Sequence, residues 1–382
     1  MVTVAIIDDA LNEMYLTHTN IIQRYSLLSG HPEKTEHFEG KGYTHSTMCA
    51  RVLEEYGTGY QVINIQIMEN HGTPCSVQNL AAALQLCSEL PVDIVHMSVG
   101  TPVLSESRIL DEPVGNLARR NVLMTAALDN RGLVTLPAAY PQVIGVRCDR
   151  NGVLVPGSYV CHTNDPWGIQ VTANYEFDTE QFPALAPSNS LAVPMIAAKL
   201  CKYRNQGIKK LGRILKALEK ESAGAVPEGL ISDDEDKEPE LPVVAVVHKE
   251  AKDQEREDPK PIWYGSELMD AFHRIKGYEA AGLQLKPYSH DIRILTNKNT
   301  EGNGIRKSIL FIERHTTADV VFLFLEGNEL QKVLGQVVPD MVIHMEYGEA
   351  AIEKNGQDDF RIRMDKKEGT CQLCAEIEKR LT

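Results

Sequence analysis

Short apolar runs alternate with amphipathic stretches through the first two hundred residues. VTVAII at 2–7, VINIQI at 62–67, VDIVHM at 92–97, VLMTAA at 122–127 and VIGV at 143–146 each predict a buried strand. Between them lie segments such as 77–90, whose apolar positions recur every three or four residues as on one face of a helix. Strands of this near-continuous apolar kind belong to a parallel sheet covered on both faces. The alternation therefore predicts an α/β domain with a mostly parallel sheet and helices on both sides. In such sheets the reactive groups collect at the carboxyl ends of the strands.

Beyond residue 200 the pattern changes twice. Residues 203–222 predict a helix with Ile208, Leu211, Ile214, Leu215 and Leu218 on one side and five basic side chains on the rest. The run SDDEDKEPE at 232–240 carries too little apolar surface to order itself and predicts a linker. After it, strands are expected at 243–247, 292–295, 320–325 and 341–344, with helices at 266–276 and 372–380. The expected organisation is a first domain over 1–222, an acidic linker over 223–241 and a smaller α/β domain over 242–382. No Gly-rich phosphate loop follows the strand at 243–247, where HKEA stands instead.

Composition narrows the partners. A chain of 382 residues exceeds one typical domain. A net charge of −14 disfavours nucleic acid and anionic membranes, which reward a basic face. No apolar run approaches the roughly 20 residues needed to cross a bilayer, and no secretory signal opens the chain. Its eight cysteines are scattered rather than dense. These features predict a cytoplasmic protein with reduced thiols. Cys371 and Cys374 have the spacing of half a zinc site, but no second half matches them. No essential metal and no cofactor are expected.

Four segments carry candidate chemistry. Asp8 ends the first strand in AIIDDA. His45 opens a helix in THSTMCA, with Met48, Cys49, Val52 and Leu53 as its expected buried stripe. In SNSLAVPMIAA, Ser190 opens a helix that is apolar on every side and so must lie centrally. Its N-terminal N–H groups favour developing negative charge, and Pro194 is expected within the first turn. Finally TAALDNRG closes another strand with Asn130, whose amide can donate to an oxyanion.

Together these segments resemble the subtilase family of serine peptidases over about residues 1–222. HSTMCARVL is similar to the family pattern HGTHVAGIL, SNSLAVPMIAA to GTSMAAPHVAG, and VAIIDDA to VAVIDTG. IVHMSVGT resembles INMSLGG, and AALDNRGLVTLPAAYPQVIGV resembles AAGNEG followed by PAAYPxVIAV. The chain order Asp, His, Ser is also that family's. The resemblance implies Ser190 as nucleophile, His45 as general base, Asp8 as its orienting acid and Asn130 as oxyanion donor. It further implies that Ser98, Val99 and Gly100 form a strand edge for a peptide substrate, faced by Gly72 and Thr73.

Departures from the pattern set further expectations. Ser46, Met48, Ser188 and Asn189 stand where the family has other residues, so an inactive module that retains a peptide-binding cleft is the alternative to an active enzyme. Asp129 replaces a glycine beside the specificity pocket. It either favours a basic residue before the scissile bond or, if the loop bulges, faces solvent. With the first strand expected almost at the start of the sequence, the folding propeptide usual in secreted members of the family is not expected here. A limited set of peptides is therefore expected as substrate, by analogy with peptidases that remove leaders from ribosomally made, modified peptides.

Overall fold

The computed structural model describes all residues except 39–41, 70–74, 163–168, 177–186, 225–236, 249–261, 288, 298–301, 347, 355–356, 365–366 and 382. The chain divides into two compact units. Met1–Pro102 with Glu106–Ser232 form the first, and Asp233–Thr382 with Val103–Ser105 the second. Most of the expected linker lies outside the described residues.

The first unit contains β1 (Val2–Asp8), β2 (Ile21–Ser26), β3 (Glu33–Thr35), α1 (His45–Tyr56), β4 (Tyr60–Gln66), α2 (Val77–Glu89), β5 (Ile94–Met97) and α3 (Ser107–Arg119). It continues through β6 (Leu123–Ala127), β7 (Ile144–Cys148), β8 (Tyr159–Cys161), β9 (Ile169–Ala173), α4 (Asn189–Asn205) and α5 (Leu211–Glu221). Its sheet runs β3-β2-β4-β1-β5-β6-β7-β9-β8. All neighbours pair in parallel except the two outermost strands, β3 and β8.

Every residue of β1 is buried, as a central parallel strand requires. Val4 and Ile6 face a core shared with Val52 and Leu53 of α1 and Ala192, Ile196 and Ala197 of α4. Ala5 and Ile7, on the opposite pleat, are equally buried. On that side α2 reaches β1 and packs against α3. The α/β class expected from the apolar runs is the one observed.

Two local expectations are corrected. Residues 203–222 do not form one helix. Instead α4 continues to Asn205, Gly207 turns the chain at a φ of +85°, and α5 begins at Leu211. Glycine takes that left-handed conformation without the Cβ clash other residues meet. Pro194 is not in the first turn either, because Ser188 caps α4 and Pro194 is its sixth residue. There the ring removes the N–H that would bond the carbonyl of Ser190. The Cys49 thiol of α1 lies 3.8 Å from that oxygen and donates to it instead.

In the second unit, β10 (Val243–His248), α6 (Ile262–Lys276), β11 (Ala280–Gln284), β12 (Ile294–Thr296), α7 (Gly304–His315), β13 (Val320–Glu326), α8 (Leu330–Leu334), β14 (Met341–Glu346), β15 (Glu349–Lys354), β16 (Gln357–Arg363) and α9 (Lys367–Leu381) follow in order. The sheet order is β12-β11-β13-β10-β14-β15-β16, parallel through β14 and antiparallel beyond it. Its core gathers Phe272, Phe322, Ile343 and Leu373. Cys374 is buried on α9 and Cys371 is exposed. The HKEA stretch after β10 falls outside the described residues from Lys249 onward. Among the described residues, no helix is long and apolar enough to cross a membrane.

Candidate active site

Three separate elements deliver Asp8, His45 and Ser190 to one point. Asp8 is the last residue of β1, at the carboxyl edge of the sheet, and is 1% exposed. His45 is the first residue of α1, held there by the Thr44 cap, whose side chain accepts the N–H of Thr47. Ser190 is the second residue of α4, a helix buried along most of its length. Burial fixes each backbone, so short side chains suffice to bridge the gaps.

The bridges run in line. His45 Nδ1 lies 2.7 Å from Asp8 Oδ2, and His45 Nε2 lies 2.9 Å from Ser190 Oγ. A carboxylate can only accept, so the proton belongs on Nδ1, and the Nε2 lone pair faces the serine hydroxyl. Ser98 donates its hydroxyl to the same Asp8 Oδ2, and the Asp9 N–H donates to Oδ1 at 2.8 Å. Burial alone would push the Asp8 carboxyl up. The charge and hydrogen bond of His45, with the bonds from Ser98 and Asp9, outweigh it and hold Asp8 below the ordinary range. For His45, burial lowers the pKa, but the Asp8 charge raises it well above the usual histidine value.

The N-terminus of α4 is tied to the loop after β6 by a residue the sequence pattern does not single out. Asn189 Oδ1 accepts the Cys148 N–H at 2.8 Å, while its Nδ2 donates to the carbonyls of Leu128 and Asp129 at 3.2 and 2.9 Å. Its own N–H donates to Asn130 Oδ1 at 2.9 Å, and Arg150 donates to the same oxygen at 2.8 Å. The Asn130 side chain is therefore bonded through its oxygen to the residue preceding Ser190, and Nδ2 is the end of its amide that can donate. In the motif Asn189 is only a departure from a threonine. Its extra carbonyl and amide make the clamp.

Asp129 does not offer a free carboxylate. It accepts from the Arg131 N–H at 2.7 Å and from the guanidinium at 3.0 and 3.2 Å. The expected preference for a basic residue thus meets a charge already paired two residues along the chain. Ser98, Val99 and Gly100 follow the end of β5 and, among the described residues, pair with no strand before Thr101 bridges Leu136. A Cβ at Gly100 would lie 2.5 Å from Leu136 O and 2.6 Å from Thr135 Cγ2, so only glycine lets the segments approach this closely. Gly72 and Thr73 lie outside the described residues.

Two further groups surround the site. Cys49, expected in the core, is fully buried and also lies 3.9 Å from both Asp8 Oδ2 and His45 Nδ1. Its spacing of four from His45 places both on one helix face, a signal present in the sequence. Asp8, His45 and Cys49 present an oxygen, a nitrogen and a sulfur within 4.8 Å of one another, a candidate metal triad. Burial pushes the Cys49 thiol up, however, and a metal would have to displace the Asp8–His45 bond. The donor set therefore fits a hydrogen-bonded cluster better than a metal site. His96, 1% exposed on β5, is driven by burial to a pKa of about 4 and stays neutral.

No family model and no curated protein matches the chain. Solved structures similar to it include a lanthipeptide protease at 16% identity, covering 59% of this chain and 81% of that chain with a TM-score of 0.46. A mutant of the protease domain of PatA matches at 16% identity over 57% of this chain and 84% of that chain, TM-score 0.42. The nisin leader peptidase NisP from Lactococcus lactis matches at 11% identity over 56% and 81%, TM-score 0.42.

Proposed function

We propose that the first unit is a subtilisin-like serine peptidase with Ser190 as nucleophile, His45 as general base and Asp8 as the acid that orients it. The observation that carries this is the continuous line from Ser190 Oγ through the His45 ring to Asp8 Oδ2, at 2.9 and 2.7 Å. A serine hydroxyl becomes a competent nucleophile when an adjacent imidazole takes its proton during attack. As Oγ bonds to the scissile carbonyl carbon, the Ser190 proton passes to His45 Nε2 and the carbonyl oxygen becomes an oxyanion. His45 then gives that proton to the leaving amine, and an acyl-Ser190 ester remains. Water attacks the ester by the same route in reverse roles. Asp8 stays ionised throughout and stabilises the imidazolium.

The oxyanion falls to the Asn130 amide and the Ser190 N–H, one of the first-turn groups that has no acceptor within its helix. Asn130→Ala is expected to lower kcat by roughly 10²–10³ while KM changes little, because the donor is used only when charge develops. Steady-state rates on a cleaved peptide check it. A loss confined to KM would move Asn130 to substrate binding.

The substrate is a peptide, taken as a strand along residues 98–100, and a leader segment of a ribosomally made precursor is the class the motif resemblance favours. A fluorophosphonate probe tests the activity without knowledge of that substrate. The folded wild type should be labelled at Ser190, and heat-unfolded protein should not. An unlabelled folded protein would leave the inactive peptide-binding module in its place.

A further inference from the structure

Asp9 stands directly after Asp8 and is also fully buried, at 0% exposure. Its two oxygens do separate work. Oδ2 accepts the backbone N–H of His45 at 3.1 Å, and Oδ1 accepts that of Ser46 at 2.8 Å. These are the first two N–H groups of α1, which no carbonyl of the helix can reach. Thr44 caps the N–H of Thr47, and the Asp9 carboxylate, one residue past the end of β1, completes the cap from outside the helix. Asn64 of β4 holds this junction from below, donating to Asp9 O at 3.2 Å and to Ser46 Oγ at 3.3 Å.

Adjacent carboxylates therefore grip the two ends of one residue. Asp8 holds the His45 ring, and Asp9 holds the His45 main chain. We propose that Asp9 is a positioning residue of the reaction: it sets the height of the imidazole between Asp8 and Ser190, and its negative charge adds to that of Asp8 in favouring the imidazolium. This rests on the peptidase function proposed above. A neutral cap cannot replace it. An asparagine has one acceptor, so its NH₂ must face one of the two helix N–H groups.

Among the described residues, two charges act on Asp9. Asp8 on β1 repels it and His45 on α1 attracts it, while Asn64 on β4, which donates to its carbonyl, is neutral. Burial and then Asp8 push Asp9 up to about 6, against the pull of the Ser46 and His45 N–H bonds. Protonation below that pH converts one accepting oxygen to a hydroxyl. Activity in the wild type should therefore fall below pH 6 more steeply than His45 protonation alone dictates.

The test compares wild type, Asp9→Asn and Asp9→Ser for the rate of fluorophosphonate labelling and for kcat and KM against pH. Asp9→Asn should lose about 10- to 100-fold in labelling rate and kcat with KM nearly unchanged, the cost of a slightly misplaced base. Its acid limb should move down by roughly half a unit to one unit, because His45 has lost a neighbouring anion, and the steeper fall below pH 6 should vanish. Asp9→Ser keeps one uncharged acceptor. It should show the same shift with a smaller rate loss, and it decides the question equally well should the asparagine variant not fold. A shift in the acid limb is what a purely structural cap would not produce. If wild type is labelled but both variants match its rate and its acid limb, Asp9 has no such role and the peptidase function stands. If folded wild type is not labelled at all, the peptidase function falls and this proposal with it.

Discussion

Ser190→Ala is expected to lower peptide hydrolysis by on the order of 10⁶, His45→Ala by a similar factor, and the double variant by no more than either alone. The reason is the geometry of the relay. Ser190 Oγ bonds to His45 Nε2 at 2.9 Å, and in the proposed mechanism neither group has a catalytic use without the other. Alanine at 190 leaves a base with no proton to take. Alanine at 45 leaves a hydroxyl with no route for its proton. What survives is the contribution of the oxyanion donors and of substrate binding, about 10³–10⁴ over water. That residue of activity should depend on Asn130 in each single variant. Additive losses, with the double variant far slower than either single one, would mean that the two side chains act in separate steps. Mass-spectrometric detection of cleavage in a mixed peptide library supplies the rates.

Much of this arrangement is legible in the sequence, and the limits are physical. The central strands β1, β4, β5, β6 and β7 are short apolar runs because both of their faces are covered. The pattern thus marks them without any knowledge of partners. Strand β2 is different: of IIQRYS, only Arg24 is buried, so no period stands out. Strands β3 and β8, three residues each, carry too little pattern to be seen. At the site, Asp8, His45 and Ser190 each sit at the end of an element, where one residue can be matched to one motif position. Asp9, Asn189 and Ser98 act through contacts with segments 36, 60 and 90 residues distant. Periodicity carries no information at that range, so Asp9 resembles a turn residue until α1 is folded onto it. Pro194 shows the converse. Its place in α4 depends on which residue caps the helix, and a shift of the cap changes which carbonyl loses its partner.

Asp8→Asn is expected to lower kcat by about 10⁴ while leaving the backbone in place. The chain itself dictates how the amide must sit. The Asp9 N–H donates to Asp8 Oδ1 at 2.8 Å, so the asparagine oxygen is drawn to that position. Its NH₂ then occupies the site of Oδ2, facing His45 Nδ1 and the Ser98 hydroxyl, where an acceptor had been. His45 answers by moving its proton to Nε2, which turns a hydrogen-bond donor towards Ser190 and leaves no lone pair to take the hydroxyl proton. A second effect follows from charge. Asp8 outweighs the burial that would lower the His45 pKa and holds it well above 6.5, so wild-type activity should rise with pH through a limb above the ordinary histidine range. Without that anion, burial prevails and the limb moves to lower pH, even as the plateau collapses. The two effects separate cleanly in a pH–rate profile, because one lowers the plateau and the other displaces the limb. A profile that falls in height with its acid limb unmoved would mean that Asp8 does not govern the protonation of His45, and the 2.7 Å contact would then be structural only.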